Sequence, residues 1–175
     1  AAAGADIIGI ATQPPTGEVV EAVEALGRRY TSVGVDLADR AAVTDLAGQL
    51  THVDVLVNNA GIIRRTPAAD HSDADWDAVL AIDLDAPFRL AREVGRAMVG
   101  RGRGKIIFTA SLLSFQGGIT VPGYTAAKHA IAGLTKAFAN EWAPHGVNVN
   151  AIAPGYIATD NNRALRDDPA RSKAL

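Results

Sequence analysis

The sequence contains no cysteine and little of several other features that mark specialised classes of protein. Without cysteine, the chain can form neither a disulfide framework nor a zinc site built from thiolates. Its formal net charge is −2, so it lacks the strong positive charge that is typical of nucleic-acid-binding domains. It also has no run of the roughly 18 apolar residues that a membrane-spanning helix needs. We therefore expect neither a nucleic-acid partner nor a membrane partner.

The residues that are present suit a single domain with a substantial core. The chain has 175 residues, of which 48% are hydrophobic, and we expect residues 1–175 to form one domain. The apolar stretch at residues 1–10 lacks the basic flank of a secretory signal peptide, so we expect a cytoplasmic protein. The four histidines are not spaced like metal ligands, and we expect no bound metal.

Apolar runs of strand length alternate with segments of helical periodicity along the whole chain. The expected strands are residues 6–11, 30–35, 53–57, 105–110 and 147–152, and the expected helices are residues 18–26, 39–50, 73–102 and 124–144. Asp39 and Ser72 are suitable N-caps, and Pro87 predicts either a bend in the third helix or the first turn of a second helical segment. Regular alternation of strand and helix predicts an α/β fold with a doubly wound parallel sheet.

The stretch from Ser111 to Lys128 carries the clearest chemical signal. Tyr124 and Lys128 are four residues apart at the start of a predicted helix, so they share one face of it. An unperturbed phenol has a pKa of about 10, and a neighbouring ammonium group lowers it towards a value useful for a base. Ser111 follows a predicted strand, and its hydroxyl can donate to a substrate oxygen. The three side chains together predict acid–base chemistry on an alcohol or a carbonyl.

This stretch, SLLSFQGGITVPGYTAAK, resembles the catalytic segment of the short-chain dehydrogenase/reductase family. LSFQGG, NEWA and NAIAPGYIAT are similar to the branch of that family that acts on sugar acids such as 2-deoxy-D-gluconate and 2-dehydro-3-deoxy-D-gluconate. The resemblance covers nearly the whole chain. It implies a Rossmann-type three-layer αβα fold and an NAD(P)-dependent homotetramer. Compared with the family pattern, we expect the chain to lack the first βα unit, with its glycine-rich loop, and the last strand.

The resemblance also implies roles for individual residues. It makes Tyr124 the acid–base group, Lys128 the group that lowers its pKa, and Ser111 the donor to the substrate oxygen. The cofactor contacts that it implies are Asp36, Leu37, Asn59, Ala60, Gly61, Tyr124, Lys128, Pro154, Gly155, Ile157 and Thr159. The expected substrate contacts are Ser111, Gln116, Tyr124 and Arg163, with Arg64, Arg65 and Arg166 as further candidates for a substrate carboxylate.

The choice between NAD and NADP depends largely on the residues after the strand at 6–11. In this fold an acidic residue there binds the ribose 2′-hydroxyl, whereas an arginine accommodates a 2′-phosphate. Ala11, Thr12 and Gln13 are neither acidic nor basic. We expect NAD because no cation is present to neutralise a phosphate, and NADP stays open.

One residue departs from the family pattern. Asp83 occupies a position where the family has an asparagine whose backbone carbonyl holds a water of the proton relay. An aspartate supplies the same carbonyl, so we expect activity to survive. Its carboxylate, however, can also pair with Lys128 and change the effect of that lysine on Tyr124.

Two alternatives to a sugar-acid dehydrogenase stay open at this stage. The same family could provide a reductase of 3-oxoacyl thioesters or of another secondary alcohol, because the fold does not decide the substrate. The chain could also be a catalytically silent dinucleotide-binding module. An intact set of Ser111, Tyr124 and Lys128 argues against the silent module, whereas Asp83 slightly favours it.

Overall fold

The computed structural model describes residues 1–157 and residue 167, and these contain five strands and five α-helices. The strands are β1 (Ile7–Ala11), β2 (Tyr30–Gly34), β3 (Val55–Asn58), β4 (Gly104–Thr109) and β5 (Val147–Ile152). The helices are α1 (Gly17–Glu24), α2 (Arg40–Gln49), α3 (Asp73–Leu80), α4 (Ala86–Arg101) and α5 (Pro122–Trp142). None of the helices in this part of the chain is long and apolar enough to cross a membrane.

All strand pairs are parallel, which confirms the predicted α/β class. The strands of the described residues form two sheets, one with the order β1-β2 and the other with the order β3-β4-β5. Ile7 is in register with Tyr30 in the first sheet, and Gly104 is in register with Val147 in the second. Residues of both β1 and β3 line one cavity of about 1030 Å³. The single sheet that the sequence predicts is therefore divided at the β1 and β3 edges.

The core lies on one face of the three-stranded sheet. Burial alternates along β3 and β5, as expected for strands with one covered face. Ile106 and Phe108 of β4 are fully buried among side chains of α2, α4 and α5. The opposite face leaves Val55 and Val57 more than half exposed. The helices therefore hold one side of the sheet firmly, which fixes the strand ends from which the site is built.

The predicted caps begin two of the helices. The Asp39 carboxylate accepts hydrogen bonds from the amides of Ala41 and Ala42 at 2.9 and 3.1 Å and starts α2. The Ser72 hydroxyl accepts from the amide of Asp75 at 3.1 Å and starts α3. Such caps satisfy amides that have no partner within the helix.

The predicted helix at 73–102 is interrupted by a π-helical turn, Ala81–Asp85, between α3 and α4. Pro87 lies in the first turn of α4, where the absence of an amide is tolerated. In a continuous α-helix, the amide at position 87 would donate to the carbonyl of Asp83, and proline has no such amide. The turn buries the side chain of Asp83 completely.

Helices α4 and α5 approach each other closely at Gly95. A Cβ atom on Gly95 would lie 2.5 Å from the Cζ3 atom of Trp142, so no larger residue fits without movement. Phe138 stacks on Trp142 with ring centroids 4.3 Å apart. This contact anchors the C-terminal end of α5, whereas its N-terminal end reaches the carboxyl ends of the strands.

Candidate active site

The candidate site lies at the edge where β3, β4 and β5 end. Asn58 is the last residue of β3, Ser111 comes two residues after β4, and Pro154 comes two residues after β5. Because the three strands are parallel neighbours, these ends lie side by side. In open α/β sheets, ligands bind in the crevice outside the carboxyl ends of the strands.

The loop that carries Ser111 is fixed by a second serine. The Ser111 hydroxyl accepts a hydrogen bond from the amide of Leu113 at 3.2 Å. The Ser114 hydroxyl accepts one from the amide of Ser111, also at 3.2 Å. Ser114 is buried and donates to the carbonyl oxygen of Lys128 at 2.7 Å. This bond attaches the loop to α5 and sets Ser111 relative to the catalytic face of that helix. The sequence interpretation missed Ser114, although its spacing from Ser111 is that of a capping box.

Helix α5 presents Tyr124 and Lys128 on the face that meets this loop. Pro122 begins the helix, so Tyr124 lies in its first turn and Lys128 in its second. The Lys128 ammonium lies 5.2 Å from the centroid of the Tyr124 ring and donates to the carbonyl oxygen of Thr109 at 2.8 Å. The structure thus brings together the three predicted catalytic side chains, Ser111, Tyr124 and Lys128. Their catalytic roles stay predictions.

Asp83 joins this group as a buried carboxylate. Its Oδ2 atom is 3.4 Å from the Nζ atom of Lys128, and the two side chains are 0% and 5% exposed. Its Oδ1 atom accepts from the amide of Ile62 at 2.7 Å. A Cβ atom on Gly61 would lie 2.9 Å from Oδ2, so the glycine leaves room for the carboxylate. The ion pair considered for Asp83 from the sequence is therefore present.

The pKa of Tyr124 is raised in the structure, contrary to the expectation from the sequence. Burial of the phenol is the largest cause, because it disfavours the charged tyrosinate. A hydrogen bond with Ser111 and the charge of Arg65 lower this pKa, whereas the charge of Asp83 raises it. The lowering expected from Lys128 does not prevail over this burial.

Burial pushes both members of the ion pair towards their neutral forms. It raises the pKa of Asp83 and lowers the pKa of Lys128. The bond from the Ile62 amide and the charge of Lys128 oppose the first shift, and the charge of Asp83 opposes the second. Each group therefore stabilises the charged form of the other, which burial alone would disfavour.

The loop after β3 carries three of the predicted cofactor contacts. Asn59, Ala60 and Gly61 are exposed at the edge of the sheet, and their small side chains allow a ligand to approach the backbone closely. The Asn59 side chain accepts from the Thr109 hydroxyl at 3.1 Å, which ties the end of β3 to the end of β4. Such a loop can accommodate a nicotinamide dinucleotide, and the role of these residues as cofactor contacts stays a prediction.

The other predicted cofactor contacts have mixed surroundings. Asp36 is exposed after β2, but its carboxylate accepts from the amide of Ala38 at 2.9 Å and so closes its own turn. Leu37 is half-buried and packs against the core. Gly155 is exposed after β5 and accepts from the amide of Ile157 at 2.9 Å, next to half-buried Pro154. Thr159 and Arg163 lie outside the described residues, as does the further candidate Arg166.

The remaining candidates for substrate binding differ in exposure and in their partners. Arg64 is 3.4 Å from a carboxylate oxygen of Asp75 and is thereby engaged at the start of α3. Arg65 is exposed, and its charge reaches Tyr124. Gln116 is exposed in the loop after Ser111. Among the residues that the structure describes, no group of three or more histidines and acidic residues is arranged to hold a metal ion.

Comparison with known proteins places this geometry in context. The profile of the short chain dehydrogenase family matches residues 1–170. A 2-dehydro-3-deoxy-D-gluconate 5-dehydrogenase from Pseudoalteromonas atlantica is 53% identical over an alignment that covers 100% of this chain and 71% of the relative.

Two crystal structures are similar in three dimensions. One is an Agrobacterium tumefaciens protein, provisionally named 2-deoxy-D-gluconate 3-dehydrogenase, with bound NADP. It has a TM-score of 0.91 and 49% identity over 99% of this chain and 70% of that chain. The other is a gluconate 5-dehydrogenase from Burkholderia cenocepacia in complex with NADP and tartrate. It has a TM-score of 0.87 and 35% identity over 98% of this chain and 69% of that chain. The chain belongs to the short-chain dehydrogenase family.

Proposed function

We propose that the protein is an NAD(P)-dependent oxidoreductase that interconverts a secondary alcohol and a ketone of a sugar acid, either 2-deoxy-D-gluconate or 2-dehydro-3-deoxy-D-gluconate. The observation that carries the proposal is the convergence of Ser111, Tyr124 and Lys128 at the carboxyl ends of the strands. The names of the sugar-acid dehydrogenases to which the chain is similar support the choice of substrate class.

Each of the three side chains has a distinct part in this proposal. Tyr124 takes the hydroxyl proton when the alcohol is oxidised and returns it when the ketone is reduced. Ser111 donates a hydrogen bond to the substrate oxygen, and its position is held by Ser114. Lys128 places a positive charge beside the phenol and orients the cofactor ribose. The nicotinamide cofactor, when bound, supplies or accepts the hydride.

A substrate carboxylate needs a cation at the site, and Arg65 is the best placed of the described arginines. Its charge reaches Tyr124, whereas Arg64 is held by Asp75. Gln116 follows Ser111 closely and can bind a substrate hydroxyl, and Arg163 remains a proposal from the sequence. Arg65→Ala should raise KM for the acid substrate about 10- to 100-fold, the effect of losing one charge-assisted hydrogen bond.

Arg64→Ala is the matched control for that experiment, because it removes the same side chain from the neighbouring position. We expect it to leave KM within about twofold, since its partner Asp75 is a surface carboxylate. A neutral sugar alcohol supplies the second control. If Arg65→Ala weakened the acid and the neutral substrate equally, Arg65 would not be the carboxylate-binding residue.

We infer a preference for NAD over NADP. Residues 11–17, which follow β1, carry no charged side chain, so this segment offers no cation to a 2′-phosphate. The two similar crystal structures contain NADP, which is a property of those proteins. We expect kcat/KM for NAD to exceed that for NADP by about tenfold or more, equivalent to about 1.4 kcal/mol. A higher kcat/KM with NADP would contradict this inference.

We further propose that the protein is a homotetramer in the cytoplasm, where its nicotinamide cofactor is found. Helices α4 and α5 carry the supporting features. Phe88 and Phe138 stack with centroids 6.1 Å apart and remain half-buried. Gly133 and Ala137 are exposed on α5, where small side chains allow a helix of a second copy to approach. Light scattering over a range of concentrations should give four times the chain mass, and a monomer throughout would contradict the proposal.

The experiment that tests the function is a panel of substrates. Reduction of NAD is followed with 2-deoxy-D-gluconate, 2-dehydro-3-deoxy-D-gluconate and a neutral sugar alcohol, and oxidation of the reduced cofactor with a 3-oxoacyl thioester. Turnover confined to the acids would support the proposal. Turnover confined to the thioester would identify a different reductase, and cofactor binding without any turnover would indicate a silent module.

A further inference from the structure

The buried carboxylate of Asp83 is more than a structural ion pair. It lies in the π-helical turn, accepts from the amide of Ile62, and leaves its second oxygen 3.4 Å from the ammonium of Lys128. That second oxygen is buried, and Lys128 is the partner it faces, at the long end of hydrogen-bonding distance. An oxygen in this situation interacts with Lys128 through its charge, in surroundings where charge interactions are poorly screened.

Tyr124 lies near both members of this pair. The ammonium of Lys128 is 5.2 Å from the phenol ring, and the charge of Asp83 acts on the phenol in the opposite direction. The phenol therefore faces a pair of opposite charges rather than a lone cation. The Asp83 charge, 3.4 Å from the ammonium, partly offsets the effect of that ammonium at the phenol.

We propose that Asp83 is a positioning residue that holds the Lys128 ammonium at the carbonyl of Thr109 and, by partly neutralising it, sets the pH at which Tyr124 can act as a base. This rests on the proposed function for its catalytic consequence, but not for its effect on the phenol. The exchange of Asp83 for asparagine would remove the negative charge that raises the pKa of Tyr124. The tyrosinate would then form at lower pH.

The other groups that face Tyr124 come from each neighbouring segment. Ser111 approaches from the loop after β4, and Arg65 approaches from the loop after β3. His71, which precedes α3, lies against the first turn of α5, 3.6 Å from where a Cβ atom of Gly123 would be. None of these three groups is altered when Asp83 is replaced, whereas Lys128 loses the charge that raises its pKa, so a shift in the titration of Tyr124 reports the Asp83–Lys128 pair.

The direct test is an absorbance titration of the tyrosinate in Asp83→Asn and in the unmodified protein. The chain has three tyrosines, so each titration is repeated with Tyr124→Phe and the difference isolates Tyr124. We expect its midpoint to fall by about one pH unit in Asp83→Asn. An unchanged midpoint, or one at higher pH, would overturn the proposal. This measurement needs no substrate, so it stands whether or not the proposed function is correct.

Asp85→Asn is the matched control. Asp85 belongs to the same π-helical turn, but its carboxylate pairs with Arg40 at 2.9 Å and is 44% exposed. The same change of charge at this site should leave the Tyr124 midpoint unaltered, and an equal shift in both variants would overturn the proposal. If Asp83→Asn does not fold, Asp83→Ser provides a second neutral side chain, for which a midpoint shift in the same direction is expected.

The kinetic counterpart is the pH profile of alcohol oxidation. The acidic limb of kcat should move to lower pH by about one unit in Asp83→Asn, which makes the variant about tenfold faster on that limb. Asp85→Asn should follow the unmodified profile. A loss of rate at all pH values without a shift of the limb would show that Asp83 serves the fold alone.

Discussion

The two sheets use the same parallel pairing but differ sharply in burial. In the β3–β5 sheet, Ile106 and Phe108 are 0% exposed, and the sheet is covered by three helices on one face. In the β1–β2 sheet no residue is fully buried, and Ile8 is 46% exposed. Hydrogen-bonded pairing alone therefore does not create a core. The side chains of the candidate acid–base chemistry all belong to the well-buried half.

The same removal of a hydroxyl should have unequal consequences in the two halves. Tyr124→Phe takes away the proposed acid–base group and should lower kcat by about 10²- to 10⁴-fold. Tyr30→Phe, in β2, changes a tyrosine that packs against Gly9 and should leave kcat within about twofold. Steady-state rates with saturating cofactor provide the measurement. Comparable losses in both variants would mean that Tyr124 has no special chemical role.

Removal of a side chain from each sheet tests the difference in burial directly. Phe108→Ala should lower the free energy of unfolding by about 3–5 kcal/mol, since it empties a fully buried site. Ile8→Ala should lower it by about 1 kcal/mol or less, because its side chain is already partly in water. Urea unfolding followed by circular dichroism measures both. Equal losses would show that the exposure of β1 is not retained in solution.

Two carboxylates, one in each half, should affect stability with opposite dependence on pH. The pKa of Asp6 is lowered in the folded protein, mainly by a hydrogen bond from the amide of Arg29. Asp6 therefore contributes to stability above its unfolded-state pKa of about 3.9, and this contribution is lost as the pH falls through its folded-state pKa. The pKa of Asp83 is raised in the folded protein by burial. The contribution of Asp83 to stability therefore falls as the pH rises from its unfolded-state pKa of about 3.9 through its folded-state pKa.

Thermal unfolding between about pH 3 and pH 6 can separate these two effects, because the acidic groups titrate in that range. The melting temperature of the unmodified protein minus that of Asp6→Asn should rise with pH. The same difference for Asp83→Asn should fall with pH. Slopes of the same sign would mean that burial does not dominate at Asp83.

The sequence predicts the strands and caps well because these depend on local patterns. Every observed strand begins and ends within two residues of its prediction, and Asp39 and Ser72 cap the expected helices. The chemistry at the strand ends was equally local, since Tyr124 and Lys128 share a helix face by spacing alone. Ser111 was identified from its place after a predicted strand, and the family resemblance supplied the cofactor loop, which spacing would not have identified.

The features that the sequence did not predict depend on contacts between distant segments. Of the two expectations for Pro87, its place in the first turn of a second helical segment is confirmed. The π-helical turn before it, in which Asp83 is buried against Ile62 and Lys128, was not predicted. The raised pKa of Tyr124 depends on how deeply the phenol is enclosed. Neither can be deduced from periodicity, because both arise when loops and helices that are far apart in sequence come together.

The π-helical turn also makes the pairing of Asp83 with Lys128 depend on the number of residues between α3 and α4. Such a turn accommodates one extra residue within an otherwise regular helix. Deletion of a single residue from Ala81–Asp85 would restore a continuous helix and leave the packing faces of α3 and α4 nearly in phase. The protein would keep its architecture but lose the geometry that brings a carboxylate to Lys128. The loss of one residue, as well as a substitution of Asp83, would therefore remove this charge from Lys128.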